Sequence, residues 1–293
     1  GVGLSLVGEQ GARMITGVAL AAAGLGVAGA YLGTPLSFIA MGLYCIRRLR
    51  MHVREVEAAS HGVARATGSA PGLWVHVKRA WAPIAGLIVI AVLQNIDIIA
   101  AKHRFPTHVD SSYAAVAVAA KVLIWVATGA GFYLVPEVSR RRGAGEDTRP
   151  ILARALLIVA VCAVPVLAIF AFESHLLIRL AFGQSKTLAA GSLLVLGLAF
   201  TVLACTYLAI QYLLALRRTW FLVAVAAVAV AEPILLLNAS HKPTSFAAVV
   251  LAIQAVGALL AFGFALAPDR RPSATPPSLP PMDRGPERVP EPV

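Results

Sequence analysis

Charge is what this chain lacks. Only 13% of its 293 residues are Asp, Glu, Lys or Arg, and the acidic ones are the scarcer, 14 against 25 basic. A soluble domain holds about 25% charged residues and about 45–50% apolar ones. Here 59% are hydrophobic and the mean hydropathy is +0.80, which excludes an ordinary soluble fold. Cysteine is nearly absent as well. Cys45, Cys162 and Cys205 each sit in an apolar run, without His or Asp at ligand spacing, so they read as small core residues and neither disulfides nor metal ligands are expected. No nucleophile stands beside a base and no long external loop offers room for a catalytic domain, so neither an enzyme nor a cofactor is expected. An initiator Met is missing, and Gly1 to Gly11 resembles neither a signal peptide nor a targeting segment; a fragment of a longer chain is the expectation.

What is present is a series of apolar runs long enough to cross a hydrocarbon core. The first, Met14 to Ile46, is too long for one span, and a turn at Gly29-Ala30-Tyr31-Leu32-Gly33-Thr34-Pro35 is expected to split it, since Gly and Pro punctuate helices. Further spans are expected at Pro83–Ala101, Tyr113–Val135, Ile151–Phe172, Leu188–Leu216, Trp220–Asn238 and Phe246–Ala267. The expected fold is therefore an all-α integral membrane protein of about eight transmembrane helices. Lys and Arg alternate in density between the loops: nineteen fall on one side of these spans, five on the other, and Lys121 lies inside one. By the positive-inside rule both ends are expected to be cytoplasmic. The excess of basic residues, +11 formally, is thereby assigned to membrane-facing loops and not to nucleic acid.

Two segments are expected outside the bilayer. In the linker from Met51 to Ala80, extended by Trp81, residues Trp74, Val77 and Trp81 share one helical face, which fits an interfacial helix or equally a helix that runs straight into the next span. From Pro268 to Val293 the chain is rich in proline and has no apolar periodicity, and a disordered tail is expected.

Few motifs carry chemistry. Gly24-Leu25-Gly26-Val27-Ala28-Gly29 has the letters of a dinucleotide loop, but no strand precedes it and no acid follows at the right distance, so chance explains it. The sequon Asn238-Ala239-Ser240 lies too close to the membrane to carry weight. Ionisable residues within spans matter more, because a charge in hydrocarbon is costly and faces a bundle interior or watery cavity. Asp97, Lys121, Glu137 and Glu232 qualify. Asp97 shares a helical face with Gln94, while Asn95 lies roughly opposite. Asp97 and Lys121 fall in adjacent antiparallel spans, within reach of pairing directly or through water; they read as a structural ion pair, a snorkelling Lys, or groups facing a cavity. Glu232 precedes Pro233, which bends a helix, and an acid on a bent helix is a way to build a proton or cation site; a local crevice or a hydrogen bond to a neighbouring helix is the plainer reading. Glu137 reads as a boundary residue beside Arg140 to Arg142, Pro165 predicts a kink, and Tyr207 and Gln211 form a polar stripe.

The run Ala82-Pro83-Ile84-Ala85 through Leu93-Gln94-Asn95-Ile96-Asp97-Ile98-Ile99-Ala100-Ala101-Lys102-His103, then Tyr113-Ala114-Ala115, Lys121-Val122 and Leu134-Val135-Pro136-Glu137-Val138-Ser139-Arg140, resembles the start of the second half of bacterial polysaccharide flippases. These belong to the multidrug, oligosaccharidyl-lipid and polysaccharide exporter superfamily. The resemblance covers about 60 residues. It implies a transporter of two six-helix lobes in the bacterial plasma (inner) membrane that moves lipid-linked oligosaccharide by alternating access. On that template residues 1–49 are the last two helices of the first lobe, 50–81 a cytoplasmic linker, 82–267 the second lobe and 268–293 the tail; the rest of the first lobe is a missing partner. It implies a contact of Lys121 with an anionic head group. From the polar residues within spans, Asn95, Gln94, Tyr207 and Gln211 are the further candidate substrate contacts, and Asp97 and Glu232 the candidate coupling-ion sites. A cation-coupled drug exporter of the same superfamily is the alternative. A membrane glycosyltransferase or polymerase subunit is more distant, because the stretch Glu173 to Thr187 carries a single acid.

Overall fold

A computed structural model gives the arrangement of residues 2–59 and 73–267. The expected tail and the middle of the linker lie outside the described residues, as do the side chains of Trp74 and Val77. The described residues are helical throughout, with short turns and no strand. The chain divides into two units, Gly1–Ala70 and Pro71–Val293.

In the first unit, α1 (Val2–Leu20) and α2 (Gly26–Ala59) pack together as a hairpin. The turn between them falls at Ala21–Leu25 and not at Gly29 to Pro35. Gly24 (φ 96°) and Gly26 (φ 51°) make the reversal, since only glycine enters that region without a Cβ clash. Gly29 and Gly33 have a different task. A Cβ on Gly33 would stand 2.6 Å from the backbone of Gly17, and one on Gly29 2.7 Å from that of Leu20. Four residues apart, they form the small-residue face that lets α1 and α2 touch backbone to backbone. Thr16 Oγ1, which donates to Ala12 O at 2.7 Å, also lies 3.1 Å from Gly33 O. Pro35 sits within α2 without ending it.

The second unit holds α3 (Leu73–Arg104), α4 (Thr107–Ala120), α5 (Val122–Gly143), α6 (Arg149–Phe172), α7 (Ser174–Phe182), a 3₁₀ segment Gln184–Ser192, α8 (Leu193–Ala215), α9 (Phe221–Leu237) and α10 (Pro243–Leu266). α8 is the hub. It packs against α3, α4, α5, α6 and α10, and it is the most completely buried helix, as an element apolar all round must be. Where α6 crosses α8, a Cβ on Gly197 would meet the Phe170 ring at 2.6 Å, so the approach depends on that glycine. α9 packs between α3 and α10.

Among the described residues five helices are long and apolar enough to cross a membrane: Trp81–Arg104, Thr107–Gly143, Arg149–Phe172, Gln184–Ala215 and Pro243–Leu266. Gly11–Leu25 and Phe221–Leu237 are apolar but shorter. This is an all-α membrane protein by composition and architecture. α4 and α5 form one 37-residue helix with a single irregular residue, Lys121. α6 and α9 continue through Pro165 and Pro233. α3 starts at Leu73 and runs through Pro83, so the residues expected to form an interfacial helix are continuous with the span that follows. α7, which the hydropathy pattern did not foretell, occupies the stretch between α6 and α8; Ser112 on α4 donates to Lys186 O and accepts from the Ala189 N–H at 2.9 Å, tying the 3₁₀ segment down.

Candidate functional site

Three helices bring polar side chains together inside the second unit. Asp97 on α3, Glu232 on α9 and Gln254 on α10 are buried among apolar neighbours. The Gln254 amide donates to both carboxylate oxygens of Glu232, at 3.1 and 3.3 Å, and lies 3.4 Å from Leu93 O of α3. Gln254 thereby joins all three helices. Its own carbonyl oxygen, both carboxylate oxygens of Asp97 and the Tyr113 hydroxyl on α4 are buried with no hydrogen-bond partner among the described residues. Glu232 is thus satisfied by Gln254, whereas Asp97, one turn beyond Leu93 on α3, is a buried acid without a partner among the described residues. A buried carboxylate in that state costs several kcal/mol when charged, so Asp97 favours a proton or a cation beside it.

An aromatic trio closes one end of this cluster. Phe105, Tyr113 and Phe246 stand with ring centroids 5.1 to 5.7 Å apart, Tyr113 edge-on to Phe246. All three rings are buried, and Arg104 donates to Ala239 O at 3.0 Å beside them.

Lys121 belongs to a second group. Its Nζ donates to Asn95 Oδ1 at 3.2 Å and sits 5.5 Å from the centre of the Phe200 ring. A direct hydrogen bond or ion pair between Lys121 and Asp97 is not formed. The reason is helical phase: residues two apart on α3 face nearly opposite ways. Asn95 therefore presents to Lys121 the exposed face of α3, while Asp97 is buried. Gln94 is half-buried, one turn before Asp97. Tyr207 and Gln211 do meet, with Gln211 Nε2 donating to the Tyr207 hydroxyl at 3.0 Å, and Tyr207 lies against Gly131 of α5, where a Cβ would come within 3.0 Å of its ring. Glu137 is held by Arg140 at 2.8 Å and Arg141 at 3.0 Å, as a boundary residue would be.

Gln254 and Tyr113 were not singled out as site residues from the sequence. Gln254 carried the same signal as Gln94 and Gln211, a polar side chain inside an apolar run, but has no second polar residue one turn away to mark its face. Tyr113 gave no such signal, since a Tyr near a helix start is ordinary.

No protein-family model matches the chain, and no curated protein or solved structure matches it either.

Proposed function

We propose that this chain is part of a two-lobe membrane transporter that flips lipid-linked oligosaccharide across the bacterial plasma membrane, with a monovalent cation or proton held at Asp97 and Glu232 as the coupling ion. On this reading the chain spans the bilayer eight times and the last six spans form one lobe. The observation that carries it is the buried Asp97–Glu232–Gln254 cluster shared by three helices, because an ion bound there stabilises one relative arrangement of α3, α9 and α10 over another. Lys121, held by Asn95 on a half-exposed surface, supports a contact with an anionic head group. The resemblance of residues 82–140 to polysaccharide flippases supports the cargo class.

The test uses the full-length protein in cells. Lys121→Ala is expected to impair export of the surface polysaccharide at normal expression, and Asp97→Asn to abolish the dependence of export on the ion gradient. Unchanged export in Lys121→Ala removes Lys121 from the mechanism. The second reading, a cation-coupled drug exporter, is favoured by the same acids, which need no anionic cargo. Drug resistance conferred on a pump-deficient host would select it over the flippase.

A further inference from the structure

The arginine-rich end of the second unit holds a cleft that the transport reading leaves unused. It has a volume of about 570 Å³ and is lined by Trp81, Ala82 and Pro83 of α3 and by Leu214, Arg217, Arg218 and Thr219 at the end of α8 and the turn into α9. Among the described residues two cationic side chains and no carboxylate line it. The neighbouring cleft, about 460 Å³, differs in including Glu146 and Asp147 beside its arginines, so its charge is largely balanced.

We propose that the cleft between Trp81 and Arg217 binds the phosphate head group of an anionic phospholipid. Its depth fits. Trp81 opens the apolar stretch of α3 and Trp220, 83% exposed, opens α9, and Trp rings settle at the level of lipid head groups. Below Trp81, Ile84 and Ile88 follow at i+3 and i+7, both exposed, so an acyl chain has an apolar track leading down from the phosphate on the same helical face. A free phosphate would have no use for that track.

The backbone supplies an independent sign. Arg217 has φ 53°, and among the described residues it is the one non-glycine in the left-handed region. Gly or Asn fills such a turn with less strain, so an Arg there points to a task for its side chain. Its neighbour Arg218 is anchored by carbonyl oxygens at the C-terminal end of α10, at 2.8 Å to Phe264 and 3.1 Å to Ala267, which fixes a second positive charge at the wall of the cleft. The site is distinct from the ion cluster: Trp81 and Asp97 are sixteen residues, about 24 Å, apart along α3.

The test is lipid retention by the full-length protein in native mass spectrometry after extraction, with phosphatidylglycerol and phosphatidylcholine offered together. Phosphatidylglycerol is expected to be retained about fivefold better, the equivalent of about 1 kcal/mol for one basic residue at a membrane surface. Arg217→Asn, which suits the same backbone, is expected to lose that preference, and Arg217→Lys to keep most of it. Displacement of the lipid by free glycerol 3-phosphate would make this a phosphate site unconnected with lipid. That result, equal retention of the two lipids, or an unchanged preference in Arg217→Asn, overturns the proposal.

Discussion

At the scale of single residues, Asp97 and Gln254 are both buried polar groups whose removal should act on stability in opposite directions. Gln254 supplies the donors that satisfy Glu232, so Gln254→Ala leaves a buried carboxylate without a partner and is expected to cost about 1–3 kcal/mol. Asp97 has no hydrogen-bond partner among the described residues, so Asp97→Asn, which removes a buried unpaired charge at almost constant volume, is expected to raise stability. Thermal unfolding of both variants in the same detergent decides it. If Asp97→Asn destabilises as much as Gln254→Ala, the Asp97 carboxylate has a stabilising partner and is not an unpaired buried acid. A residue that lowers stability and is nonetheless kept belongs with function.

At the scale of elements, glycines divide into those that make a close approach and those that do not. Gly197→Ala forces a methyl into the Phe170 ring and is expected to destabilise by about 1–3 kcal/mol. Gly129 lies inside α5 with nothing within 4 Å of a Cβ, so Gly129→Ala should gain up to about 1 kcal/mol from helix propensity alone. Equal shifts in the two melting curves would mean that α6 and α8 do not touch at Gly197. The same distinction explains where sequence reading failed. Four of the later apolar runs gave helices close to their expected bounds, because length and hydropathy suffice to define a helix in lipid, whereas α3 begins well before Pro83, at Leu73, and the α4–α5 helix Thr107–Gly143 overruns Tyr113–Val135 at both ends. The first run was divided at the wrong glycines. Gly24 and Gly26 make the turn, and Gly29 and Gly33 make the contact; in letters alone both pairs read as punctuation. Pro35 added to the error, since it lies inside α2 without ending it. The buried polar group of α3, α9 and α10 was legible in part for a related reason. Asp97 and Glu232 were visible as charges in hydrocarbon, whereas their assembly on α3, α9 and α10 depends on helix packing order, which no local pattern encodes.

At the scale of the whole molecule, the open matter is how often the chain crosses the bilayer, and α9 decides it. Its 17 residues span about 26 Å, less than the ~30 Å of hydrocarbon, and it carries Glu232 and Pro233. α6, with 24 residues or about 36 Å, is long enough without help. Single cysteines at Ala144, Ser185 and Ser240, all exposed, sample the turn before α6, the segment after it and the turn after α9. Cys45, Cys162 and Cys205 are free and are first replaced by Ala. With eight crossings and the arginine-rich turns inside, a membrane-impermeant maleimide added to intact cells is expected to label positions 185 and 240 but not 144. Labelling at 185 without labelling at 240 would mean that α9 enters the membrane and returns, bringing Glu232 to an aqueous face, and the eight-span count would fall. Labelling at 144 and not at 185 would reverse the orientation altogether. In that case the arginines would face outward, and the charge asymmetry of the loops would need another cause.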